Sequence, residues 1–220
     1  MILTVTSFLE LALKHGAVIL TPDYRLRPEH ELTDGVDDVR SFWKWVEQDV
    51  KKVLAESHPD LKLDINNLLV GGESAGGYLT TQTALLGMTS LSIKVLFIQY
   101  PPMDMAGMLK VPDDVGSRGS EFTLYQEIYP YSLIEEHLAA LEPGRICTRA
   151  KFGSRMPLLG AMLQAGKFCD ISGDRAWIDP MTSLETAPKL PPILLYQSKE
   201  DADVSHQHFP HLERSPRRMP

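Results

Sequence analysis

The stretch "NLLVGG" (67–72) runs directly into "GGESAGG" (71–77), and the reading of this junction decides the fold. The first part is a short, continuous apolar run ending on glycine, as a buried strand reads. After it comes "YLTTQTALL" (78–86), which reads as a helix expected from about Ala75 to Met88. Between them Gly72, Glu73, Ser74, Ala75 and Gly76 spell G-x-S-x-G. Strand, sharp turn, helix is the context in which this frame carries chemistry. A nucleophile on so tight a turn needs a strained backbone and slim neighbours. Glycines at 72 and 76 are expected to remove side chains that would collide, and Gly77 to let helix and strand approach closely. Ser74 would then project at the carboxyl end of a sheet, with the Ala75 N–H aimed at a developing oxyanion.

Working outward, three more apolar runs appear: "AVILT" (17–21), "IKVLFIQY" (93–100) and "PILLY" (192–196). They are continuous instead of alternating, which predicts parallel strands buried on both faces. Helical patterns separate them. "FLELALKHG" (8–16) is one. Val36, Val39, Phe42, Trp43, Val46, Val50 and Val53 form one apolar stripe on a single predicted helix, with Thr33 or Asp34 as its cap and Asp37 and Asp38 in its first turn. The alternation predicts an α/β fold with a mostly parallel sheet and flanking helices.

About ninety residues separate the third and fourth of these strands, more than a crossover needs. Helices are expected at 132–142 and near 157–168 within them. One domain is expected over 1–220, with a core of 10–100 and 189–204, a helical insertion (cap) of about 101–188 and a loose tail at 205–220. The Met and Leu content of the insertion reads as core, with an apolar substrate lid as the second reading.

Composition narrows the function. The chain has 220 residues, 43% hydrophobic, and a net charge of −7 without an acidic tail. This gives no reason to expect nucleic-acid binding. No run of eighteen apolar residues exists, so no membrane span is expected. Two cysteines, Cys147 and Cys169, make neither a disulfide framework nor a metal knuckle. The N-terminus does not read as a signal peptide, and a cytoplasmic protein is expected. No Lys-Ser or Lys-Thr follows the glycines, which excludes a P-loop.

"GESAGG" (72–77) resembles the elbow of the hormone-sensitive-lipase-like carboxylesterases, the α/β-hydrolase fold-3 family. "AVILTPDYRLRPEHELTDGVDDVRSFWKWV" (17–46) resembles that family more closely, through "DYRLRPEH" (23–30) and the helix after it. "PPILLYQSKEDADV" (191–204) is similar to the strand and loop that deliver the family's acid. The resemblance implies a carboxylesterase that attacks small apolar esters through Ser74, with Ala75 as an oxyanion donor and no metal or organic cofactor. Asp201 would be the acid, with Asp203 the alternative. Tyr24, Arg25 and Glu29 would brace the surrounding loops.

Two of the family's parts are not found. A serine hydroxyl needs a base, normally a histidine held by the acid. The resemblance places that histidine after a further helix and strand. His206, His208 and His211 follow Asp201 within ten residues, so a base there would fold back from the same loop; a solvated tail is the plain alternative. No HGG loop, the source of the second oxyanion donor, precedes "AVILT". The family's strand before that loop lies between the "AVILT" strand and the elbow strand, so a gap inside the sheet is expected, partly filled at most by "MILTVT" (1–6). Losing one oxyanion donor costs ~100- to 1,000-fold, and losing the base on the order of a million-fold. The expectation is therefore an incomplete α/β-hydrolase fold, apparently truncated at both ends. Its second functional reading is a non-catalytic member that binds an apolar ligand or partner. The sequence specifies no oligomeric state.

Overall fold

Helix α1, Val5–His15, opens the described chain in a computed structural model that describes residues 5–109, 127–151 and 153–198. Lys14 and His15 sit in its last turn, at the negative pole, and Gly16 at φ 59° turns the chain out. Val5 and Thr6 are thus helical and do not form the strand suggested for 1–6, whose first four residues lie outside the described chain. The Phe8 ring packs 5.5 Å from that of Phe97, on the sheet.

The long helix predicted after "DYRLRPEH" is two helices, α2 (Leu32–Gln48) and α3 (Val50–Ser57), separated at Asp49 with φ −122°. Glu31 is the N-cap, in place of Thr33 or Asp34. Asp34 acts from the third helical position, where its Oδ2 accepts the Glu31 N–H at 2.8 Å. The first turn carries Asp34, so Asp37 and Asp38 fall in the second. Val36, Val39, Trp43, Val46 and Val50 are buried as the stripe requires, whereas Phe42 is half-buried and Val53 is exposed.

The sheet has three described strands, β1 (Leu68–Glu73), β2 (Ile93–Gln99) and β3 (Ile193–Tyr196), in the order β1-β2-β3 and all parallel. Glu73 pairs with Gln99 and Gln99 with Tyr196, so the three carboxyl ends are level. Helix α4 (Ala75–Leu85) follows β1 and is buried continuously from Gly77 to Leu85. Its Thr81 and Thr83 hydroxyls return to the helix carbonyls of Gly77 and Leu79. Burial on both faces holds only for the second half of β2. In β1 exposure alternates, with Leu69 46% exposed, and Ile193 and Leu194 of β3 are exposed as well. The reason is coverage: α2 and α4 pack on one face, while α1 reaches the other through Phe8.

"AVILT" is not a strand. Residues 17–26 join no ladder with another described segment. Yet Val18, Leu20 and Pro22 are half-buried while Ala17, Ile19 and Thr21 are exposed, the period-two alternation of an extended chain. Between this segment and the edge of β1 away from β2 lies an apolar slot of about 320 Å³, with Phe42 and Trp43 of α2 and Leu79 of α4 in its lining. A strand exists only when a neighbour accepts its backbone bonds, and the slot stands where that neighbour would be. Among the described residues the slot lies at the β1 edge of the three-stranded sheet, and not between two of its strands as expected.

From Pro101 to Pro191 the described elements are α5 (Met105–Leu109), α6 (Ser132–Ala139), α7 (Met156–Gln164), a 3₁₀ turn (Gly173–Ile178) and α8 (Pro180–Leu184). Both helices expected here are present, each shorter than predicted. Buried polar bonds tie the segment to α4. The Tyr78 hydroxyl and Gln82 Nε2 both donate to the Ile178 carbonyl at 2.9 Å, and Gln82 Nε2 also reaches the Trp177 carbonyl at 3.1 Å. No described helix is long and apolar enough to cross a membrane.

Candidate active site

Ser74 stands alone between β1 and α4, as the N-cap of the helix. Its backbone is at φ 50°, ψ −121°, and only one other described non-glycine residue, Tyr100 at φ 35°, has a positive φ. L-residues avoid this region, so the surroundings must hold it. They do so through two backbone bonds. The Ser74 N–H donates to the Gln99 carbonyl at 3.0 Å, and the Ser74 carbonyl accepts the Tyr78 N–H at 3.0 Å. The side chain makes no capping bond, and the residue is exposed.

The glycines around it divide the work differently from the expectation. A Cβ on Gly72 would collide with the Gly76 carbonyl. One on Gly77 would lie 3.0 Å from the Gln99 carbonyl and 3.1 Å from Pro101 Cβ. A Cβ on Gly76 meets nothing within 4 Å. Close approach of helix and strand therefore depends on Gly72 and Gly77, while Gly76 contributes its carbonyl to the crowding and not its missing side chain.

The N–H groups of Ala75, Gly76 and Gly77 precede the first helical bond, so they are the donors of the helix N-terminus, without a backbone partner among the described residues and beside the Ser74 side chain. An anionic oxygen developing there would meet donors and the positive end of a dipole. Ser74, Ala75, Gly72 and Gly76 are thus brought together. Asp201, Asp203, His206, His208 and His211 lie outside the described residues. What is described is where their segment departs: β3 ends level with Glu73, two strands away, or roughly 10 Å at ordinary strand spacing.

Beside the elbow, the Tyr100 hydroxyl donates to Glu73 Oε2 at 2.6 Å. This pair was not read from the sequence. "QYPP" (99–102) signals a strand exit, but nothing in it reveals a positive φ or a partner on β1.

A second polar cluster braces the loop before α2. Arg25 Nε lies 2.9 Å and 3.1 Å from the two Asp38 oxygens, and Nη1 lies 3.2 Å from Asp34 Oδ1. Burial raises the Asp38 pKa, but the bonds from Arg25 outweigh it and hold the carboxyl below its usual range. Glu29, with its side chain 2% exposed, meets Arg155 and His137, the latter at 2.7 Å. Burial works against its charge too, yet Arg155 and His137 hold its pKa down at about 2. Arg155 also donates to the Arg27 carbonyl. Tyr24 is half-buried and lines the slot. Cys147 and Cys169 are free, and burial pushes the Cys169 thiol up to about 11.

The family model for the alpha/beta hydrolase fold matches residues 5–127, more than half of the chain. A probable carboxylesterase M8 of Phoma sp. is 27% identical over 201 residues, covering 89% of this chain and 61% of that protein. A probable carboxylesterase clz11 of Cochliobolus lunatus is 28% identical over 193 residues, covering 86% of each. Among solved structures, DphMB1 shares the fold with a TM-score of 0.51 at 20% identity, covering 95% of this chain and 57% of its own. The chain therefore spans 61% of the first relative's length and 57% of that structure's. With the elbow geometry above and a family match reaching from α1 past β2, the chain belongs to the α/β-hydrolase fold-3 family.

Proposed function

We propose that this chain carries the nucleophile and half of the oxyanion site of a carboxylester hydrolase. Ser74 Oγ attacks the ester carbonyl and passes its proton to a histidine base, for which His206 and His208 are the candidates, with His211 as the third. The carbonyl oxygen becomes an oxyanion against the Ala75 N–H at the α4 N-terminus. Collapse breaks the ester C–O bond, and the protonated base gives its proton to the departing alcohol. The acyl group left on Ser74 is removed by a water that the same base deprotonates, with that proton returning to Ser74 Oγ as the acid leaves. Asp201, or Asp203 in its place, orients the base. Residues 101–188 act as a cap over the carboxyl end of the sheet and set the apolar character of the ester. Free Cys147 and Cys169 suit a reducing cytoplasm.

The observation that carries this reading is the Ser74 backbone, held at φ 50° between a parallel strand and a helix whose first N–H groups have no backbone partner among the described residues. Nucleophile elbows are built this way. The names of the relatives support the substrate class: both are probable carboxylesterases. The test is hydrolysis of p-nitrophenyl butyrate by the purified chain and by Ser74→Ala. Turnover abolished by the substitution is the expected outcome; turnover unchanged by it would remove Ser74 from the reaction.

A second reading, a non-catalytic member that holds an apolar ligand or partner, is favoured by the apolar slot beside β1. It predicts no Ser74-dependent turnover, with Trp43 fluorescence responding to apolar compounds.

A further inference from the structure

We infer that Tyr100 is a positioning residue for the Ser74 elbow, holding the Glu73 carboxylate away from the N-terminus of α4. The inference rests on the reading of Ser74 as the nucleophile.

Glu73 immediately precedes Ser74 and is exposed at the end of β1. Just beyond it, the N–H groups of Ala75, Gly76 and Gly77 have no backbone partner among the described residues, and the Ser74 side chain does not cap the helix. Free donors at a helix N-terminus attract any nearby anion. In the proposed reaction that anion is the oxyanion of the substrate. A carboxylate tethered one residue from the serine is an internal competitor for the same donors, and its charge repels the oxyanion as it forms.

Tyr100 takes the carboxylate out of that competition. Its hydroxyl donates to Glu73 Oε2 at 2.6 Å, a length typical of a bond to a charged acceptor. Tyr100 is itself held in place. Its N–H donates to the Tyr196 carbonyl of β3 at 2.8 Å, while the carbonyl of the same peptide group, Gln99, accepts the Ser74 N–H at 3.0 Å. One peptide unit thus joins the elbow to the strand end from which the chain runs on toward Asp201. The two described non-glycine residues with positive φ, Ser74 and Tyr100, are the two that this unit links. Backbone strain persists only where neighbours over-determine it, and here each strained residue helps to fix the other.

The test measures p-nitrophenyl butyrate kinetics and thermal unfolding for wild type, Tyr100→Phe, Glu73→Gln and the double variant. Phenylalanine keeps the ring and removes the hydroxyl. Tyr100→Phe is expected to lower kcat about threefold to tenfold with KM unchanged. In 1 M salt the deficit shrinks, because exposed charges are screened. In the Glu73→Gln background, where no carboxylate is left to stray, Tyr100→Phe has less than a twofold effect. A purely structural clasp would lower Tm and leave kcat alone, or would cost the same in both backgrounds; either result overturns the inference. A wild type that turns over with Tyr100→Phe unaffected removes this inference alone. A wild type with no Ser74-dependent turnover removes the nucleophile reading, and this inference with it.

Discussion

Gly72 and Gly76 face each other so closely that a methyl group on Gly72 would collide with the Gly76 carbonyl, while one on Gly76 would meet open space. The two glycines of the G-x-S-x-G frame are therefore not equivalent. Gly72→Ala forces backbone apart from backbone and is expected to cost up to about 3 kcal/mol, the upper range of overpacking. Gly76→Ala removes flexibility from the start of α4 and is expected to leave stability unchanged or to raise it by up to about 1 kcal/mol. Thermal unfolding of the two variants checks the contrast, and equal losses would contradict it.

Glu29 makes acid stability measurable. Its pKa is held near 2, below the ordinary 4.5, by Arg155 and His137 against the cost of burial. A carboxylate depressed in the folded state contributes stability above its unfolded pKa and loses it as pH falls through the folded value. The contribution is roughly 3 kcal/mol at neutral pH, fading between pH 4.5 and about 2. Urea unfolding midpoints over that window should fall more steeply for wild type than for Glu29→Gln. Parallel curves would show that the carboxylate does not carry the effect.

Arg155→Leu removes one partner of that buried carboxylate, whose side chain is 2% exposed. Breaking a buried pair from one side costs about 3–5 kcal/mol, and His137, still 2.7 Å from Glu29, keeps the loss toward the lower end. The double variant Arg155→Leu/Glu29→Gln should recover part of the loss. Chemical denaturation of the four proteins completes the cycle, and no recovery would mean that Arg155 acts through packing alone.

Trp43 Nε1 donates to Thr83 Oγ1 at 3.1 Å in the buried layer between α2 and α4. Thr83→Val keeps the shape and strands the indole N–H, at a cost of about 1–3 kcal/mol. Thr83→Ser keeps the bond and loses one methyl group, about 1 kcal/mol. The order of the two midpoints in urea is the test, with valine expected to be the less stable.

Much of the fold is legible in the sequence because its signals are local. The runs at 67–72, 93–100 and 192–196 are the three described strands, within a residue at each end, and the helices at 8–16, 75–88, 132–142 and 157–168 all exist. The family could be recognised from "GESAGG" and "DYRLRPEH" alone, since an elbow needs its residues adjacent. Other features depended on partners distant in the chain. "AVILT" has the composition of a strand, but a ladder needs a neighbour, and a slot lies where one would be. The apolar stripe of α2 and α3 runs on across the break at Asp49, which hydrophobic spacing does not reveal.

At the site the same division holds. The sequence by itself determined that a serine sits on a tight strand-to-helix turn, because glycine spacing and flanking periodicity are short-range properties. It did not determine which glycine is crowded, since that depends on how closely the Gly76 carbonyl returns over Gly72. Nor did it contain the Glu73–Tyr100 bond or the Glu29–Arg155 pair, whose members are 27 and 126 residues apart. Those contacts exist only once parallel strands align their carboxyl ends and the 127–151 and 153–198 segments fold back on the core. Tertiary structure decided them because hydrogen bonds and ion pairs act over a few ångströms, and sequence distance says nothing about which groups come that near.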